Sequence, residues 1–394
     1  MKKLLIIGAS ILQVPAIKQA KDMGFYVGVV DYNPNAVGVS LADEFFCVST
    51  IDVEGVADVA KAFRPDGIMT LATDMPMRSI ARAAQVCGLP GITMDTAIKS
   101  TDKGEMIKCF EAHGVAHPWY FILSGPEALA DVRERITYPC ITKPTDNSGS
   151  RGVMLVHNED ELRDAVAYSS ENGRSGGVMV EEYMRGPEVS VEIIATGGEP
   201  HVLQVTDKLT TGAPHFVEMG HSQPSRLDPA DLAKIRDLAC RAVKAVGIEN
   251  GPAHVEIILT PTGPKMVELG ARMGGDCITT HLVPLSTGIN MIEATIRIAC
   301  GETPDLTPKL EKGSAIRFLD APRGTIAAIE GADEAAAVDG VREISFTKGV
   351  GDTVGEIGSS TDRVGFVIAQ ADDAASAVGV CEGAKNVLSI RTNI

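Results

Sequence analysis

The chain has 394 residues, 44% of them hydrophobic and 4% aromatic, with 36 basic against 52 acidic side chains for a net charge of −16. That length accommodates two or three domains, and so acidic a surface repels DNA, RNA and anionic lipid at long range while leaving room for a local basic pocket. No apolar run is long enough to span a membrane, and the eight cysteines form no CxxC pair and no zinc-like Cys/His spacing, which predicts free thiols in a reducing cytoplasm.

The start, MKKLLIIGASILQVPA, has the outline of a signal peptide, but Gly8 and Ser10 interrupt its apolar run. It reads better as a buried strand, followed by an amphipathic helix ending at Gly24 and a second strand ending at Asp31. This is a βαβ unit of the doubly wound α/β kind. Further strands are expected at 44–48 and 67–71, with helices at about 53–63 and 77–87. A dinucleotide fingerprint would need glycine at 8, 10 and 13; the chain has Gly8, Ser10 and Gln13, which disfavours a nicotinamide cofactor.

STDKGEMIKCFEAHGV is a helix with Asp102 as N-cap and Glu105 at N3. Lys103 lies in its first turn, where a cation opposes the helix dipole; an anionic partner would explain it, and a solvated lysine is the plainer alternative. A strand then ends at Lys143, and the loop TDNSGSRG supplies Ser148, Gly149, Ser150 and Gly152. Such a small, donor-rich hairpin tip suits close approach to phosphates, although it is not a Walker A loop. After a helix at 160–172 comes VMVEEYMRGPEVSVEIIA, two strands about a turn, with Glu181, Glu182 and Glu188 clustered at the bend. Residues 206–227 read as a long irregular loop whose ionisable groups are Lys208, His215, Glu218 and His221. A helix capped by Asp228 follows, and another ends near Gly301. From about 303 onward, short glycine-broken strands and one final helix predict a β-rich C-terminal domain.

The stretch HVEIILTPTGPKMVELGARMGGD carries the most chemistry. Two apolar runs flank TPTG, a turn signal, and a three-residue loop at 261–263 would set Glu256 opposite Glu268 on one face of a β-hairpin. Like charges so placed repel, and burying two unpartnered carboxylates is costly. A hard divalent cation carrying nucleotide phosphates removes the conflict. The alternative is an acidic hairpin facing water, and a one-residue slip of register would separate the pair.

Taken in order, these pieces resemble the ATP-grasp superfamily of carboxylate–amine ligases, with the L-amino acid ligase, biotin carboxylase-like and glycinamide ribonucleotide synthetase-like branches nearest. The resemblance implies an α/β chain of three parts: a Rossmann-like domain over 1–100, an ATP-grasp α+β domain over 101–302 with a mobile lid at about 115–182, and a small β-rich C-terminal domain over 303–394. It implies that Lys103, Lys143, Ser148, Gly149, Ser150, Gly152, Glu181, Glu182, Tyr183 and Glu188 hold ATP. It implies that Glu256 and Glu268 hold Mg²⁺ or Mn²⁺, and that Arg272 and Lys208 act in catalysis. Glu218 and His221 are candidates for orienting an amine. The activity implied is ADP-forming amide synthesis from a small-molecule carboxylate and amine through an acyl phosphate, in a cytoplasmic enzyme, a homodimer being common in similar enzymes, with no nucleic acid or membrane as partner. Rival readings are a nicotinamide-dependent oxidoreductase and a non-catalytic ATP sensor. One departure matters. Many members read E-x-N-x-R, whereas this chain has Gly270 in the Asn position, which removes a third side-chain metal ligand.

Overall fold

The computed structural model of the chain describes residues 1–393 apart from Ser148 and Ser150. Its first strand, β1 (Lys3–Ile7), is followed by α1 (Val14–Asp22), β2 (Tyr26–Asp31), β3 (Glu44–Cys47), α2 (Val53–Phe63), β4 (Gly67–Met69) and α3 (Met77–Cys87). The strands form a parallel sheet in the order β3-β2-β1-β4, so the run beginning at Lys3 is an inner strand. Its side chains alternate between two cores. Leu5 and Ile7 pack with Val56, Ala60 and Ile80 of α2 and α3, whereas Leu4 and Ile6 pack with Ala16, Ile17 and Ala20 of α1.

Two short helices, α4 (Met94–Lys99) and α5 (Lys103–Ala112), lead out of this layer. Next come β5 (Tyr120–Leu123), β6 (Cys140–Pro144), β7 (Met154–Val156), α6 (Glu159–Glu171) and β8 (Val178–Glu182), whose strands make a separate antiparallel sheet ordered β5-β8-β6-β7. The chain continues through β9 (Glu188–Thr196), β10 (Glu199–Thr210), β11 (Glu218–Gln223), α7 (Pro229–Val246), β12 (Gly251–Thr260) and β13 (Gly263–Gly270). It then runs through α8 (Val283–Thr287), α9 (Met291–Ala299), β14 (Gly313–Leu319), β15 (Gly324–Glu330), α10 (Ala332–Ala336) and β16 (Val341–Phe346). β17 (Thr353–Val354), β18 (Gly365–Ala371), α11 (Ala374–Val387) and β19 (Ser389–Asn393) complete it.

The central sheet has eight strands in the order β13-β12-β9-β10-β11-β14-β18-β16. It therefore continues across residue 303, since β14, β18 and β16 extend the sheet that β9–β13 begin. α9 lies between the two sheets: Met291, Ile292 and Ile296 share one core with Leu4 and Ile6 of the parallel sheet and with Ile194 of β9. Much of the stretch read as an irregular loop, 206–227, is instead the end of β10 paired with β11. Polar residues at inward positions (Thr206, His221 and Gln223, all buried) hid the alternation that marks a half-buried strand.

The glutamate hairpin also differs in detail from expectation. Its turn is one residue shorter, because Thr260 pairs with Gly263. A register shift between Glu256 and Ile257 then compensates, and Glu256 still pairs with Glu268. One bulge thus restores the facing of the two carboxylates that a shorter turn alone would have lost. All eight cysteines are free, and no helix among the described residues is long and apolar enough to cross a membrane.

Candidate active site

β9, β10, β11 and β12 lie side by side, and each contributes ionisable groups to one face. Lys208 of β10, almost wholly buried, has its ammonium near three carboxylates: Glu188 of β9, Glu256 of β12 at 3.2 Å and Glu218 of β11 at 3.7 Å. Burial alone would lower its pKa, but the charges of Glu256, Glu188 and Glu218 outweigh that and hold it well above the usual lysine value. Glu256 is depressed well below the carboxylate range: burial opposes ionisation, and Lys208 with the His254 hydrogen bond overcomes it. Glu188 goes the other way, raised by burial and by neighbouring carboxylates despite its contact with Lys208. Opposite Glu256, Glu268 is met at 3.0 Å by Lys103, which also donates to the backbone oxygen of Asn147 at 2.8 Å. Lys103 sits in the first turn of α5, where Asp102 caps the helix by accepting from Glu105 N. Its anionic partner is thus a carboxylate of the hairpin.

Beneath Glu256 lies a buried chain that sequence reading missed. His254 Nε2 is 3.2 Å from Glu256, and its Nδ1 is 2.7 Å from Glu192, which is completely buried. Burial alone would lower the imidazole pKa; the Glu192 charge and hydrogen bonds to Glu192 and Glu256 raise it to about 9. Both residues carried a signal: each is polar in an otherwise apolar strand, on the inward face.

Two further clusters come from outside this face. Arg272, just past β13, is held side-on by Asp74 of the parallel-sheet domain, Nε to Oδ1 at 2.9 Å and Nη2 to Oδ2 at 3.1 Å. His221 Nε2 lies 3.4 Å from Asp276, which Arg363 grips with two 2.8 Å bonds while its guanidinium stacks on Phe318. Asp276 is held below the carboxylate range: burial opposes ionisation, but the hydrogen bonds from Arg363 and His221 prevail. Asp276 and Cys277 are consecutive non-glycine residues at φ 50° and 62°, a strained geometry of the kind that clusters at functional sites. Asp74 and Arg363 gave no sequence signal, since nothing local marks a loop aspartate or a strand-edge arginine that reaches another element.

On the four-stranded sheet, Lys143 and Glu181 form a buried pair at 2.6 Å, and Glu181 Oε2 has no hydrogen-bond partner among the described residues. Glu182 pairs with Lys265 at 2.7 Å. Tyr183 follows at the exit of β8, its ring 6.3 Å from Phe216. Gly149 and Gly152 have φ of 69° and 79°. A Cβ on Gly152 would come within 2.7 Å of Pro144, so this glycine is demanded by packing as well as by conformation. Ser148 and Ser150 lie outside the described residues.

The donor set suits Mg²⁺ of the nucleotide-bearing type. Among the described residues no three His, Cys, Asp or Glu side chains converge as a metal cage. Glu256 and Glu268 are cross-strand partners, and each already has a lysine ammonium beside it, Lys208 at 3.2 Å and Lys103 at 3.0 Å. Two carboxylates fit an ion that draws its remaining ligands from phosphate and water. A nicotinamide site fits poorly. Gln13 accepts from Ser10 Oγ at 2.7 Å and donates to Leu71 O at 2.7 Å, and a Cβ on Gly8 would meet it at 2.9 Å. Its side chain fills the space beside Gly8 that a pyrophosphate would need.

Comparison with known proteins finds relatives in both sequence and fold. Residues 136–280 match the ATP-grasp domain family, and residues 317–393 match the L-amino acid ligase C-terminal domain 2. The chain is 24% identical to human carnosine synthase 1 over 77% of its length, covering 40% of that protein. It is 24% identical to the alanine–anticapsin ligase of Bacillus subtilis over 76% of its length, covering 67% of it. The chain thus spans well under half of the first relative and about two thirds of the second. The crystal structure of an L-amino acid ligase from Bacillus licheniformis superposes with a TM-score of 0.86 at 22% identity, covering 100% of this chain and 99% of that one. The chain therefore carries an ATP-grasp domain over residues 136–280. More particularly, it carries the C-terminal domain of the L-amino acid ligases.

Proposed function

We propose that the protein is an ADP-forming carboxylate–amine ligase that joins two small molecules, of which an amino acid pair is the first choice, through an acyl phosphate. The observation that carries this reading is the facing of Glu256 and Glu268, with Lys103 and Lys208 beside them. A carboxylate oxygen of the first substrate attacks the γ-phosphorus of ATP. The bond to the β,γ-bridging oxygen breaks, and ADP leaves. The amine nitrogen then attacks the acyl carbon, phosphate departs with the bonding pair, and the ammonium proton passes to solvent or to a nearby base. Phosphoryl transfer of this kind needs positioning and charge neutralisation more than a protein nucleophile, which accounts for a site of lysines, glutamates and arginine.

The roles follow from placement. Lys103, Lys143 and the glycines of the 148–152 loop are proposed to bind phosphates; Glu181, Glu182, Tyr183 and Glu188 are proposed to hold adenine and ribose. Mg²⁺ or Mn²⁺ on Glu256 and Glu268 would supply Lewis-acid neutralisation of the terminal phosphates. Lys208 supplies a fixed positive charge to the transferring phosphoryl group, and Arg272 supplies N–H donors to the developing oxyanion, a kind of contact worth about 10²–10³ in rate. Glu218 and His221 are proposed to face the amine. Closure of the four-stranded lid excludes water from the acyl phosphate. The test is a panel of amino acids and small acids scored for ADP and phosphate. The reading requires ADP that depends on both a carboxylate and an amine, with turnover abolished in Glu268→Ala; AMP as product, or full activity in that variant, would refute it.

A further inference from the structure

Position 270 is glycine, yet its backbone demands no glycine, because its φ lies outside the left-handed region. The demand is spatial. A Cβ there would sit 2.7 Å from Asp74 Oδ1 and 3.1 Å from Arg272 Nε. The space beside β13 that a side chain at 270 would use is therefore filled by an aspartate brought from the other domain. Asp74 lies between β4 and α3, where its backbone oxygen accepts from Met77 N at 3.2 Å, and two residues earlier Ala72 stands at φ 59°. A non-glycine residue in that conformation marks a loop held in place against local preference.

The pair also decides what Arg272 has left to offer. A guanidinium carries five N–H donors. Nε and Nη2 each give one to Asp74, and Nη1 gives one to Met273 O at 3.2 Å. Two remain, one on each terminal nitrogen. The side-on edge is spent, so an anion meets Arg272 only through those two. Asp74 also lines a cavity of about 400 Å³ together with Lys103, Glu268 and Arg78, so the residue that holds Arg272 stands beside one of the two facing glutamates.

We infer that Asp74 is a positioning residue of the ligase site: it fixes the direction of Arg272 from across the domain boundary, and its carboxylate occupies the space that a Cβ at residue 270 would need. The kinetic part of this inference rests on the ligase reading; the coupling between Asp74 and Gly270 does not. Arg272 directed this way serves the transition state more than nucleotide binding, so the two readouts should separate.

The experiment compares wild type, D74N, D74A, G270A and D74A/G270A. Three quantities are read: ADP release, affinity for a fluorescent ADP analogue with Mg²⁺, and melting temperature. D74A should lower kcat on the order of 10²-fold with little change in analogue affinity, and D74N, which keeps the shape, should fall in between. G270A should lower the melting temperature in the wild-type background and do so far less in D74A, because the clash disappears with the carboxylate. D74A at the wild-type rate, or D74A losing analogue affinity as steeply as rate, would overturn the positioning role. Additive losses of melting temperature in the double variant would overturn the coupling. If no substrate pair yields ADP at all, the ligase reading falls, and the melting cycle still decides whether Asp74 dictates Gly270.

Discussion

The ionisable residues of this site pair with one another, with acidic groups in excess. Lys208 is buried against three carboxylates, and removing one partner of a buried charge set typically costs about 3–5 kcal/mol. Lys208→Met should therefore destabilise the protein by an amount of that order, read by denaturant unfolding. Mg²⁺ with ADP should recover part of the loss by neutralising Glu256 from the other side; a variant as stable as wild type without nucleotide would contradict this charge arrangement. His254 sets a pH dependence. Its folded pKa is raised from 6.5 to about 9, so the stability it contributes is complete below pH 6.5 and is lost as pH rises through about 9. Unfolding free energy of wild type should fall over that window relative to His254→Gln, and parallel profiles for the two proteins would count against a charged imidazolium. At this scale the sequence was legible where chemistry and periodicity coincided. Glu256 and Glu268 stood out against apolar runs, and His254 and Glu192 bore the same mark. Asp74 and Arg363 were illegible, because their partners lie 198 and 87 residues away in the chain.

Elements were legible as far as their own pattern reached. α2 and α3 begin and end where the amphipathic pattern places them. The hairpin was right in its pairing and wrong in its route, since turn length and bulge shifted in compensating directions. No propensity rule announces such a bulge. The turn between β8 and β9 deserves a direct test. Gly186 has φ 147°, and a Cβ there would lie against the backbone oxygen of Leu259 at the end of β12. Gly186→Ala should cost more than about 1 kcal/mol, seen as a lower melting temperature, and it should weaken nucleotide binding because Glu181, Glu182 and Glu188 flank that turn. An unchanged melting temperature would show that the two backbones have freedom to separate.

As a whole, the proposed site would draw on every part of the chain: Asp74 from the loop after β4, Lys143 from the four-stranded sheet, Lys208 and the glutamates from the central sheet, and Arg363 from the C-terminal region. The order of these parts was readable from composition and turn signals. The continuity of the central sheet across residue 303 was not, since strands β11 and β14 pair over a long separation and their facing is decided by packing. The account stands on a cation shared by Glu256 and Glu268 and carrying the terminal phosphates of a nucleotide. Electron paramagnetic resonance of Mn²⁺ titrated into the protein with ADP tests this most directly. The account predicts a bound Mn²⁺ population that requires the nucleotide and is lost in both Glu256→Gln and Glu268→Gln; binding of Mn²⁺ with ADP that persists undiminished in both variants would contradict it.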